Sequence, residues 1–339
     1  MTLASHIRTS AGVLLAASLL LAACGGSDAS DASDTPAGGA DAWSYVDGSG
    51  TETTLDAAPS RIVAHASAAA ALLSFGVRPV GIFADSPVED DLALQDLDLE
   101  GIEIVGEQWG VINVEAVAAL EPDLIVSEWW PIEKGYTGME DGAGADFETL
   151  QAIAPVVGIA QGPSIVDMIE DYADLAGQLG ADLDDAVVED NRAAFDEAVA
   201  GFEAAVDAKP DLSVLAVSPT PEGLYVAVPE YSAELSDLAG WGLDLVVPSD
   251  PDDGFEYWET LSWENADKYQ ADLLIVDERS YPANLEQAEE QPTWMSLEAA
   301  AADAVAVWPA YWVRTYADYT GALEQLTVAV ERADEHLVP

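Results

Sequence analysis

The chain has 339 residues, half of them hydrophobic, with 64 Asp and Glu against 10 Lys and Arg. A formal net charge of −54 excludes a nucleic-acid-binding surface, because phosphate is repelled by such a field. The ordinary hydrophobic content excludes a disordered polyanion, and the single cysteine excludes disulfides and cysteine metal clusters.

The chain opens with one base, Arg8, and an apolar run from Ala11 to Ala23 broken only by Ser18. The run is too short to cross a bilayer and fits the h-region of an export signal. It ends in Leu21-Ala22-Ala23-Cys24, which resembles the bacterial lipobox, whose cysteine becomes the lipidated first residue of the exported chain. The other reading is a signal peptide cleaved elsewhere, with Cys24 incidental. Without the first 23 residues the chain keeps all 64 acids and nine bases, a net of −55. With normal hydrophobic content, this describes a globular protein with an acidic, heavily solvated surface, as in organisms of salty habitats. From Gly25 to Ala42 the composition is Gly, Ser, Asp, Ala, Thr and Pro, which cannot bury a core and predicts a flexible tether. About 300 residues remain, enough for two lobes with their own cores.

Strand-like runs follow at Arg61–His65, Pro79–Phe83, Leu124–Glu128 and Val156–Ile159, then at Ser213–Val217, Leu224–Val228, Leu273–Asp277 and Val305–Trp308. Helical patterns lie between them, for example Ala66–Phe75 and Glu115–Leu120. This alternation predicts an α/β fold with mostly parallel sheets. Residues 164–208 break the pattern, with no strand signal and two or three helices, the last from about Asp184 to Asp207 and ended by Lys209-Pro210-Asp211. The predicted layout is a signal peptide (1–23), a lipid-anchored tether (24–54), an N-terminal α/β lobe (55–163), a helical connector with an interlobe helix (164–210) and a C-terminal α/β lobe (211–339).

An internal echo supports two lobes. Asn113-Val114-Glu115 and Ser262-Trp263-Glu264 each pair a capping residue with a glutamate two places on. Asp123 and Asp272 follow eight places after those glutamates, and each precedes an apolar strand. The pattern predicts a short capped helix, a turn and a strand in each lobe. A glutamate in a helix's first turn is explained by the dipole alone; a matched pair, one per lobe, asks for more.

These residues, with Ala58-Pro59-Ser60-Arg61-Ile62-Val63 and Val77-Arg78-Pro79-Val80-Gly81-Ile82, resemble the iron-siderophore and cobalamin class of periplasmic solute-binding proteins of ABC transporters over most of residues 55–335. The resemblance implies two α/β lobes joined by a long rigid helix, a ligand between them and modest closure. It also implies one exposed glutamate per lobe docking on arginines of the permease, and Glu115 and Glu264 stand at those positions. It further implies a non-enzymatic monomer without a cofactor, exported and held to the outer face of the cell membrane through Cys24, that captures a ferric siderophore. Haem or cobalamin binding, a solute-sensing role, or an exported enzyme are the alternatives.

Loops after strands are expected to face the cleft. They offer Trp109, Trp129, Trp130, Tyr257, Trp258, Tyr281, Trp308, Tyr311 and Trp312, an aromatic set suited to a bulky chelate. Arg279 and Arg314 lie in such loops and suit anionic oxygens, unless neighbouring acids absorb them. His65 ends the first strand and is read either as a ligand contact or as a core histidine. Direct metal binding is not expected, since only His65 and His336 remain beyond the first 23 residues. No His-Glu-x-x-His, Gly-x-Ser-x-Gly or phosphate loop points to catalysis.

Overall fold

The computed structural model describes residues 42–139 and 147–338; Cys24, most of the expected tether and the Gly142-Ala143-Gly144 segment lie outside them. The first described element is a hairpin, β1 (Trp43–Val46) and β2 (Glu52–Leu55), paired antiparallel. It is tied down at Asp47, whose buried carboxylate accepts from the Tyr136 hydroxyl at 2.7 Å and the Gly158 N–H at 3.2 Å. A Cβ on Gly48 would stand 2.5 Å from the backbone nitrogen of Ala160, so only glycine lets the turn approach so closely. Residues 43–54, expected to belong to the tether, instead form this hairpin. Trp43 is buried in the core, and composition gave no sign of that anchoring residue.

The N-terminal sheet is built from β3 (Ile62–His65), β4 (Gly81–Ala84), β5 (Glu103–Glu107), β6 (Leu124–Trp130), β7 (Gly135–Tyr136) and β8 (Val156–Ala160). The order is β5-β4-β3-β6, with β7 and β8 both paired to β6, and every pairing is parallel except β6–β7. Helices α1 (Ala66–Ser74), α2 (Val114–Ala119) and α3 (Phe147–Gln151) connect the strands. β3 and β4 are buried at every position, as strands covered on both faces require.

Two long helices follow, α4 (Ile165–Gln178) and α5 (Ala186–Asp207). The 22 residues of α5 span about 33 Å at 1.5 Å per residue. The C-terminal sheet comprises β9 (Ser213–Pro219), β10 (Gly223–Ala227), β11 (Asp244–Leu245), β12 (Trp258–Ser262), β13 (Leu273–Asp277) and β14 (Val305–Trp308), in the order β12-β10-β9-β13-β14 with β11 also on β9. Its helices are α6 (Ala233–Gly240), α7 (Ala283–Glu289), α8 (Glu298–Ala301) and α9 (Tyr316–Arg332), the last packed along α5. Phe75 of the N-terminal lobe meets Tyr316 of α9, 6.5 Å ring to ring, within one hydrophobic cluster that includes Phe195 and Phe202 of α5 and runs from Trp43 to Ala333. A second cluster, with Trp294 at its centre, fills the far side of the C-terminal sheet.

The two glutamate units differ. Asn113 caps α2 through the Ala116 N–H at 3.1 Å, as its position predicts. The second unit is a 3₁₀ helix, Trp263–Lys268, and Ser262 does not cap it; the Ser262 hydroxyl accepts from the Asn265 side chain instead. The expected short helix is present there without its cap, because Ser262 still belongs to β12, paired with Gly223. Glu115 and Glu264 sit in the first turn of their helices, and both are exposed.

Candidate ligand cleft

The carboxyl ends of the parallel strands in both sheets converge on one cavity of about 1070 Å³. His65 closes β3, the 85–91 loop follows β4, Trp109 follows β5 and Trp130 closes β6. From the other lobe come Tyr257 and Trp258 at the start of β12, Glu278, Arg279 and Tyr281 after β13, and Tyr311 and Trp312 after β14. Trp130 meets Tyr257 and Tyr311 across the cleft at ring separations of 6.0 and 6.2 Å, and the Tyr257 hydroxyl donates to Glu133 of the opposite lobe at 2.9 Å.

Three expected contacts lie elsewhere. Adjacent residues of a strand point to opposite faces, so Trp130 enters the cleft while Trp129 turns back against Tyr136, 5.0 Å ring to ring. Trp308 is fully buried beneath Tyr311. Arg314 lies under the floor, 1% exposed, where it is bonded to Glu128 of the other lobe through both Nε and Nη2. Glu128 also accepts from Gln161 at 2.7 Å and Tyr172 at 3.2 Å, and a second buried carboxylate, Glu234, lies 4.0 Å from Arg314. Burial alone raises the Glu128 pKa, but the Arg314 charge outweighs it and the net direction is down. Glu234 gains less from the same guanidinium, and burial pushes its pKa up.

This buried triad shapes the cleft. Glu234 accepts from the Tyr311 N–H at 2.7 Å, and Arg314 donates to the Tyr311 carbonyl at 3.3 Å. Tyr311 is held there at φ = +63°, a conformation costly for a non-glycine residue and found where the surroundings dictate it. Its ring lies under the Arg279 guanidinium, 4.9 Å away, and its buried hydroxyl has no hydrogen-bond partner among the described residues. Arg279 in turn is matched by its own Asp277, at 3.1 and 2.7 Å.

His65 is buried and also lines the cavity. Its Nδ1 accepts from the Ser67 N–H at 3.4 Å at the start of α1, and its Nε2 faces Asp85 at 3.3 Å on the cleft wall. Burial lowers its pKa, yet the hydrogen bond and charge of Asp85 prevail and the net direction is up; Asp85 moves down in return. Away from the cleft, Arg61 closes α2 by donating to the Leu120 and Glu121 carbonyls, and Lys209 does the same for α9 at Ala333.

Sequence reasoning missed the acidic wall: Asp85, Glu89, Asp90 and Asp91 after β4, with Glu133 on the same lobe, Glu278 on the other, and Phe255 at the mouth. The rule that loops after strands line the cleft would have found the 85–91 loop. In a chain with 64 acids, a run of acids carried no contrast.

Two lobes with their strand ends facing an aromatic cleft, joined by long helices, define a two-lobed solute-binding protein. The chain belongs to the periplasmic binding protein family, whose model matches residues 80–312. It is similar to the structure of DesE, a ferric-siderophore receptor protein from Streptomyces coelicolor. That likeness is 33% identity at a TM-score of 0.76, covering 86% of this chain and 99% of that one. The probable siderophore-binding lipoprotein YfiY of Bacillus subtilis (strain 168) is 34% identical over 149 residues, 43% of this chain and 41% of that protein, less than half the length of either. A siderophore periplasmic binding protein from the fuscachelin gene cluster of Thermobifida fusca shares the fold, with a TM-score of 0.57 at 23% identity over 80% of this chain and 96% of that one.

Proposed function

We propose that this chain is an exported, lipid-anchored binding protein that encloses a ferric siderophore between its lobes and hands it to an ABC permease. The observation that carries the reading is the cleft itself: Trp130, Tyr257, Tyr311 and Trp312 from two lobes line one cavity of about 1070 Å³, large enough for a chelate. Family membership and the relatives described as siderophore receptors support the same ligand class over haem or cobalamin. The iron arrives with its own ligands, so the protein's part is aromatic contact and a few polar bonds, without catalysis or a resident cofactor. Cys24 is the anchor point, and exposed Glu115 and Glu264, one per lobe, are the docking carboxylates that would meet permease arginines in bidentate contacts.

Tryptophan fluorescence tests the ligand. Titration of the full chain with a ferric hydroxamate should quench saturably, and Trp312→Leu should weaken the affinity about tenfold. Quenching by haemin or cobalamin alone would replace the ligand, and no response from any of them would remove the capture role. For docking, Glu115→Ala with Glu264→Ala should abolish uptake in cells and leave the affinity for the chelate unchanged; a parallel loss of affinity would refute the assignment.

A further inference from the structure

We infer that the open edge of the C-terminal sheet is a docking groove for an extended, basic polypeptide segment of a partner protein, seated there as an added strand. Among the described residues, β14 ends the sheet and pairs only with β13. The Leu274 N–H donates to the Ala304 carbonyl at 3.0 Å. In a parallel ladder this register turns the backbone groups of Ala306 toward β13 and those of Val305 and Val307 outward. Sheet edges are commonly blocked by a charge, a proline or a covering element. Val305-Ala306-Val307-Trp308 carries neither charge nor proline, and its first three residues are only half-buried. A groove of about 810 Å³, separate from the ligand cavity, opens beside those three residues.

The walls of the groove define the occupant. Leu285 and the exposed Tyr281 and Met295 line it beside the edge, so the alternate apolar side chains of an added strand have a surface to cover. Its charged lining residues are Glu278, Glu289 and Asp303, and no described basic side chain is among them. The other alternate positions of the strand are therefore matched by lysine or arginine. A second copy of this chain is the wrong partner: it would set the same three carboxylates, and a net charge of −54, against their own kind. Two outward N–H groups and two outward carbonyls, spaced as in a strand, are satisfied together by another backbone and not by a compact solute. The groove also shares Glu278 and Tyr281 with the ligand cleft, where Glu278 accepts from the Trp312 indole N–H at 3.2 Å. A partner seated on the edge thus touches the wall of the ligand cavity.

The probe is a blocked, fluorescein-labelled hexapeptide of alternating lysine and valine, titrated into the full-length protein at about 0.15 M salt, where distant charges are screened. Anisotropy should rise saturably, and hydrogen exchange should slow over residues 303–308. The same hexapeptide N-methylated throughout keeps its charge, loses its strand donors and should bind at least tenfold more weakly. Val307→Pro removes an outward N–H without touching the ladder to β13, and should cost at least tenfold. Glu289→Lys with Asp303→Asn tests the rim; asparagine tolerates the φ of +59° at that position, so the fold is kept. This pair should also weaken binding at least tenfold, and it carries the test should Val307→Pro fail to fold. Glu197→Lys with Glu203→Gln, the same charge change at exposed positions of α5, should alter the affinity by less than about twofold. No saturable binding, equal binding of the N-methylated peptide, protection elsewhere in the chain, or an equal effect of the α5 pair would overturn the inference. A dimer in sedimentation that the peptide dissociates would overturn it too, by giving the edge to a second copy.

Discussion

Replacing Arg314 with methionine removes the charge that makes the cleft floor possible. Arg314 is 1% exposed, bonded to Glu128 through two nitrogens and 4.0 Å from Glu234. Taking one partner out of a buried ion pair costs about 3–5 kcal/mol, because the remaining charge is uncompensated. Unfolding entropy near 60 °C is about 2.1 cal/mol/K per residue, or about 0.6 kcal/mol/K for a unit of this size, so Tm should fall by about 5–8 °C at pH 7. The pH dependence separates charge from packing. In the parent, Glu128 titrates below its ordinary value of 4.5, so its stabilisation is present above that pH and lost as pH falls through the folded value. In the variant, burial is opposed only by His65 and the Gln161 hydrogen bond, and the folded pKa rises. The carboxyl then stabilises only below about pH 4.5 and costs stability as pH rises through the folded value. Melts followed by circular dichroism should therefore show the gap between parent and variant narrowing from pH 7 to pH 5. A drop of 1 °C or less, or a gap that ignores pH, would refute this account of the triad.

The hairpin and the cleft give three more expectations. Asp47→Ala leaves the Gly158 N–H without its acceptor and the Tyr136 hydroxyl, a group whose pKa burial has pushed up to about 12, with only the Ser49 hydroxyl at 3.2 Å; it should cost about 1–3 kcal/mol and speed amide exchange over residues 43–55, which mass spectrometry reads directly. His65 should titrate above 6.5 by NMR in the parent and clearly lower in Asp85→Asn, where burial is opposed only by the weaker pull of Glu128 and Asp91; its share of stability from the pair is present below about pH 6.5 and fades as pH rises through the folded value. Tyr257→Phe removes the bond to Glu133 across the cleft, so stopped-flow chase should show ligand release several-fold faster with Tm changed by less than about 2 °C.

The sequence revealed the buried parallel strands best. β13 matches its predicted run end to end, since a strand covered on both faces must be almost continuously apolar; β14 also matches, an edge strand that is apolar throughout although mostly half-buried. Strands β1, β2, β5 and β12 were invisible because they lie at sheet edges or in the hairpin, where polar residues alternate with buried ones and no apolar run forms. The site followed the same logic. Large aromatics after strands stood out, and Trp130, Tyr257, Tyr311 and Trp312 do meet in one cavity. Whether Trp129 or Trp130 enters the cleft depends on the phase of β6, which two adjacent tryptophans do not disclose. That Arg314 serves the floor and Arg279 the wall depends on partners far away in the chain, Glu128 being 186 residues from Arg314.

The hydrophobic cluster shared by both lobes, stitched at its centre by Glu128 and Arg314, bears on traffic at the membrane. A receptor whose halves share one interior changes its silhouette little on loading. Under the proposed transport role, empty and loaded copies would then queue for the same permease, and the empty ones would act as competitive inhibitors. Uptake should peak at an intermediate ratio of receptor to transporter and decline when the receptor is overproduced. The cell's remedy would lie in expression level more than in affinity.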